Sequence, residues 1–169
     1  MCRSHALYKN QNITTVRICI MLKMIMLISA AVCCQTAVWA EDISGVWKTI
    51  DEQTGYSRAD VTVKKLSNGA YTGKITAIRP LPFKPLVETC AKCKGPLKDA
   101  PYMGLEIISG FVQDPKKPKE YINGKILDPL SGKVYSGKAK LSENGRRLTM
   151  RGYVGVSALG RSTTWIRAD

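Results

Sequence analysis

Two cysteines are the first residues in this chain whose type and spacing could carry chemistry. Cys90-Ala91-Lys92-Cys93 is a Cys-x-x-Cys pair, and the other four cysteines lie within residues 1–40. In an oxidising compartment such a pair closes into a disulfide that stiffens its own loop. A redox-active pair is the alternative, since Lys92 and Lys94 would lower a thiol pKa. Neither a strand–helix setting nor a second Cys pair accompanies it, so a thioredoxin-like site and a four-ligand zinc site are not expected. The single histidine is His5. Without another, residues 41–169 cannot assemble a Ser-His-Asp or Cys-His pair, and they lack imidazole for a metal. The carboxylates Asp51, Asp60 and Asp128 sit in or beside turns or on a polar strand face. No two acids stand out as a pair astride a cleft. We therefore expect no enzyme, no cofactor and no metal.

The elements that must position these residues follow a simple plan. Residues 1–40 contain no Asp or Glu, and Arg17 and Lys23 precede the apolar run 24–32. That run is shorter than the ~20 residues a spanning helix needs. With Val38-Trp39-Ala40 before Glu41, it reads as a signal peptide cleaved after Ala40, an uncleaved anchor being the alternative and Met21 an alternative start. The expectation is a periplasmic or secreted domain over 41–169 with no transmembrane segment after cleavage. Four of the 26 basic residues fall in the leader and all 13 acids fall outside it, leaving a formal charge of +9 over 41–169. Such a surface favours anionic partners such as an envelope component. A secreted address argues against nucleic acid.

From residue 44 the chain alternates apolar and polar residues in short runs broken by turn residues, the pattern of an all-β domain. Eight runs are legible: 46–51, 58–66, 70–78, 105–113, 120–127, 133–141, 146–154 and 162–167. Ser67-Asn68-Gly69 and Asn144-Gly145 are hairpin turns. Gly73 inside the third run predicts a bulge or bend. Between the third and fourth runs the rhythm fails: residues 79–101 hold five of the eight prolines and both late cysteines. The prediction is an eight-stranded up-and-down β-barrel with a Pro-rich, CxxC-containing excursion between strands three and four. Closure would bring strand eight to strand one and place Arg167 over Trp47. Gly45, Trp47, Trp165 and Arg167 are then barrel-closure residues. Tyr71, Glu106 and Arg151 are the candidate ligand contacts, the excursion being the other place to look for function.

The ordered motifs Gly45-x-Trp47-x-Thr49-Ile50-Asp51, Cys90-x-x-Cys93-x-Gly95, Gly124-x-Ile126-x-Asp128-Pro129-x-x-Gly132-x-x-Tyr135 and Arg151-Gly152-Tyr153, continuing to Gly160-Arg161 and Trp165-x-Arg167, resemble a family of secreted bacterial domains of unknown function with a lipocalin-like β-barrel. The resemblance covers nearly all of 43–167. It implies a periplasmic or secreted barrel and brings no agreed substrate or catalytic residue. The functional expectation is a protein binding a small apolar or amphipathic ligand, with an acidic head group as one option. The alternatives are an envelope scaffold with a filled barrel, or a thiol-redox enzyme.

Overall fold

The computed structural model describes residues 42–168; the expected leader and its cleavage point lie outside them. Eight antiparallel strands close into one barrel, each paired with its sequence neighbour and β8 with β1. The strands are β1 (Gly45–Ile50), β2 (Ser57–Lys65), β3 (Tyr71–Ile78), β4 (Glu106–Asp114), β5 (Lys117–Asp128), β6 (Lys133–Leu141), β7 (Arg147–Tyr153) and β8 (Arg161–Arg167). The expected all-β barrel is thus what forms. The main boundary difference is β5, which starts at Lys117 and carries Pro118 within it. Pro118 is tolerated because its side of the strand is exposed there, and its carbonyl accepts the Gln113 side-chain amide at 2.7 Å.

Alternation decides what each face does. In β2, Ala59, Val61 and Val63 are buried while Asp60, Thr62 and Lys64 are not. In β6, Gly137, Ala139 and Leu141 are buried against exposed Lys138 and Lys140. The inner face is apolar and the outer face polar, the arrangement a water-facing barrel requires.

Up-and-down connectivity sends successive connections to opposite ends. One end has the short links 66–70, 115–116 and 142–146; the other has 51–56, 79–105, 129–132 and 154–160. The short-link end is packed shut. Trp47, Tyr71, Phe111 and Tyr121 fill it, each at most 1% exposed. Tyr71 and Tyr121 meet edge to face at 5.2 Å. The chain entering β1 lies across this end: Trp47 Nε1 donates to the Ile43 carbonyl at 2.9 Å, and Tyr71 Oη to Asp42 Oδ2 at 3.0 Å. Arg167 seals it, 4.4 Å from the Trp47 ring centre, its guanidinium donating to the carbonyls of Gly145, Ser44 and Asp42. The expected Trp47–Arg167 contact therefore forms, a cation–π pair of about 0.5–2 kcal/mol.

Glycines make room for this packing. Gly124 and Gly137 face each other across β5 and β6, and Gly137 faces Gly152 on β7. A Cβ on Gly124 would stand 2.3 Å from the Phe111 ring, and one on Gly137 2.7 Å from it. The ring thus lies where those two side chains would be. Gly73 plays the same part for Ile108 at 2.6 Å, and the β3–β4 register shifts there, as the glycine predicted.

Candidate functional site

The long-link end is not filled. A cleft of about 240 Å³ opens there, its walls including Ala59, Ile75, Leu81, Ile126 and Trp165. A second lobe of about 350 Å³ continues past Ile126, Asp128, Thr163 and Trp165, which line both, to Tyr135, Met150, Gly152 and Leu159. The floor follows from strand register. Trp165 pairs with Thr49 while Arg167 pairs with Trp47, so the two indoles point inward at successive levels of the same seam. Trp47 belongs to the packed end and Trp165 to the cleft.

The excursion between β3 and β4 roofs the cleft. Leu81, Lys84, Pro85, Leu86 and Val87 line it. Proline forbids ladder donation at five positions in this excursion, so it crosses the mouth instead of running as a further strand. Its root is pinned by Arg79, which grips Asp60 through two bonds of 2.7 and 2.5 Å. Its far half is pinned to the β5–β6 turn. Cys90 and Cys93 form a disulfide, both buried, and the Cys90 sulfur lies 3.2 Å from the Pro129 carbonyl oxygen. Tyr102 Oη donates to the same carbonyl at 3.0 Å. At Gly132 (φ 69°) a Cβ would stand 2.0 Å from the Lys92 carbonyl oxygen, so only glycine allows that loop to seat. The disulfide is therefore a fastening for the roof: the turn it braces presents Asp128, Pro129 and Leu130 to the cleft.

Charged groups ring the mouth in pairs. Arg58 binds Asp51, which also takes Thr54 and lies 3.7 Å from Lys84. The Arg58 guanidinium holds the Asp51 carboxyl well below the usual carboxylate range, with Thr54 assisting and burial opposing. Arg161 meets Glu52 at 2.6 Å, and the carboxylates of Glu52 and Asp128 push its pKa up. Asp128 itself caps the β5–β6 turn, accepting from the Leu130 amide at 3.0 Å and Ser131 Oγ at 2.6 Å. Burial and the Asp128 charge push the Tyr102 hydroxyl up, keeping it a donor.

The three expected ligand contacts are not at this site. Tyr71 is buried in the packed end, where burial and the Asp42 carboxylate push its hydroxyl well above its ordinary range. Glu106 is on the outer face, accepting from Thr72 Oγ1 at 2.7 Å. Arg151 is also outside, donating to the carbonyls of Ser157 and Ala158 and to Ser162 Oγ. Strand register and bulges decide the face that Glu106 and Arg151 take, and the stagger between strands decides the height of the inward-pointing Tyr71. Gly45 (φ 122°), Trp47 and Arg167 lie at the packed end of the β1–β8 seam, and Trp165 lines the cleft. The missed cleft residues had one signal, the long connection 79–105, which marks the end of the barrel from which it rises. Among the described residues no cluster of acids, Cys or His is arranged to hold a metal.

The family model described as "Uncharacterized protein conserved in bacteria (DUF2147)" matches residues 45–167. No curated protein matches the chain. Among solved structures, protein HP1028 from the human pathogen Helicobacter pylori, described as belonging to the lipocalin family, is 19% identical. The match covers 76% of this chain and 84% of that one, with a TM-score of 0.61. At that identity the likeness establishes the lipocalin-like fold.

Proposed function

The chain belongs to the bacterial DUF2147 family, and from that premise we propose that it is a non-catalytic carrier of a small apolar or amphipathic molecule, working in the periplasm or outside the cell. The observation that carries this reading is the asymmetry of the barrel interior. One end is filled by aromatic side chains, while the other holds a two-lobed, largely apolar cleft under a fastened roof. Apolar burial would supply the affinity, at about 2.5 kcal/mol per 100 Å² removed from water. Orientation would come from the few polar groups on the walls. A barrel serving only as a scaffold has no need of the open half. The residues that could do acid–base work at the mouth are held in ion pairs and turn caps, which favours binding over catalysis.

The test is twofold. Native mass spectrometry of protein recovered from its producing cell should show a co-purifying mass that denaturation releases. Independently, the neutral dye N-phenyl-1-naphthylamine should bind with a fluorescence rise, and Gly152→Leu, which puts a side chain into the second lobe, should abolish it while the melting temperature holds. An empty protein that also ignores the dye would overturn the carrier reading and leave the filled-scaffold alternative.

A further inference from the structure

The two indoles of the barrel differ in one respect that bears on ligand chemistry. Trp47 Nε1 has its acceptor, the Ile43 carbonyl. Trp165 is 5% exposed, yet its Nε1 has no acceptor among the described residues. Nor is that nitrogen sealed away: the one fully enclosed side-chain nitrogen or oxygen without a partner among these residues is Tyr121 Oη. The open space against Trp165 is the cleft, whose two lobes its ring lines. More than nine in ten buried polar groups in folded proteins find a partner, in protein, water or ligand. The Trp165 indole N–H, on a residue only 5% exposed, is thus met in the cleft by water or by an acceptor that a ligand brings.

The rest of the cleft is electrically balanced. Its cations are Arg58, Arg79, Lys84 and Arg161, and each already meets a carboxylate: Asp51, Asp60, Asp51 and Glu52. Asp128 adds a further negative charge to both lobes. An anionic head group would have to compete with these carboxylates for the cations and sit close to them. Thr163, Tyr135 and Tyr153, whose hydroxyls make no hydrogen bond among the described residues, are neutral.

We propose that the occupant of this cleft is an uncharged, mainly apolar molecule carrying one oxygen acceptor, such as an ester, ketone or ether, which receives the Trp165 indole N–H while its hydrocarbon lies against Ile75, Leu81 and Ile126. The proposal rests on the carrier reading and narrows it, since the sequence alone left an acidic head group open.

Three probes of matched length separate the possibilities: methyl decanoate, decanoate and n-undecane, each measured by displacement of N-phenyl-1-naphthylamine. Methyl decanoate should bind most tightly. Trp165→Phe, which keeps a ring and removes the donor, should weaken the ester about five- to tenfold and leave n-undecane within about twofold. Retained n-undecane binding in the variant shows that the barrel still folds. In the unsubstituted protein, the Trp165 indole proton resonance should move downfield with the ester and stay in place with n-undecane, the Trp47 resonance serving as an internal reference. Decanoate binding more tightly than its ester, or a substitution that weakens ester and hydrocarbon alike, would overturn the proposal while leaving the carrier reading intact. Binding of none of the three, by a protein that still takes up the dye, would likewise overturn the proposal and leave the carrier reading to its own test.

Discussion

The two ends of this barrel are built from the same kinds of residue and do opposite things. Each has a tryptophan on the β1–β8 seam, an arginine held by several partners and a tyrosine beside an acid. At the short-link end the tryptophan, Trp47, is bonded to Ile43, covered by Arg167 and fully buried. At the long-link end the tryptophan, Trp165, has one face on a cleft and no acceptor among the described residues. The difference comes from the connections. Tight hairpins leave no chain to spare, so the end closes on its own side chains and on the chain that enters β1 from residue 42. At the other end the connection 79–105 rises past the strands, and its prolines keep it from pairing along them and hold it across the mouth. Packing material was thus spent at one end, and space enclosed at the other.

Substituting the two tryptophans tests this contrast most strongly. Trp47→Ala should cost about 3–5 kcal/mol of unfolding free energy in urea melts, whereas Trp165→Ala should cost clearly less and remove dye binding. Equal losses would mean that the two ends are packed alike. Next comes the glycine cradle: Gly124→Val pushes a side chain into the Phe111 ring and should destabilise by about 1–3 kcal/mol by the same measurement. An unchanged midpoint would show that the ring is not seated where the two glycines face.

A smaller effect should separate the two buried hydroxyls of the packed end. Tyr71→Phe removes the bond to Asp42 and should cost about 1 kcal/mol, while Tyr121→Phe removes a hydroxyl that lies against Ile43 and Tyr71 without a well-formed hydrogen bond and should cost less. Smallest is the acid response of the open end. Because the folded-state pKa of Asp51 is depressed, its contribution is fully present above the ordinary carboxylate pKa of ~4 and is lost as pH falls below it. Asp51→Asn should therefore flatten the decline of melting temperature below about pH 4. The pair lies at the mouth, where solvent screens it, so the change is expected to be modest.

Much of the architecture was legible before any coordinates. Period-two alternation located eight strands, Asn-Gly pairs located two hairpins, and Gly73 marked an irregularity that the β3–β4 register shows. Trp47 and Arg167 could be matched because a closed eight-stranded sheet must bring its first and last strands together. The excursion stood out as the place where the pattern breaks, and it does cover the cleft. The cleft residues themselves were not legible. Glu106 and Arg151 alternate correctly, but alternation names two faces without saying which is inside. Tyr71 does point inward, yet its height along the barrel depends on stagger between strands, which no local pattern records. Trp165 was assigned to closure for the same reason: a two-residue offset along β8 carries it from the packed end to the cavity.

What this sequence determined by itself is the list of strands, the order in which they pair, the turn positions and the absence of histidine beyond residue 5. These are local matters of periodicity, turn chemistry and composition. Tertiary structure alone decided which half of the barrel is empty. An interior volume is the difference between the space a closed sheet encloses and the side chains that reach into it from all eight strands. That difference depends on register, bulges and three facing glycines acting together, and none of it exists until the sheet has closed.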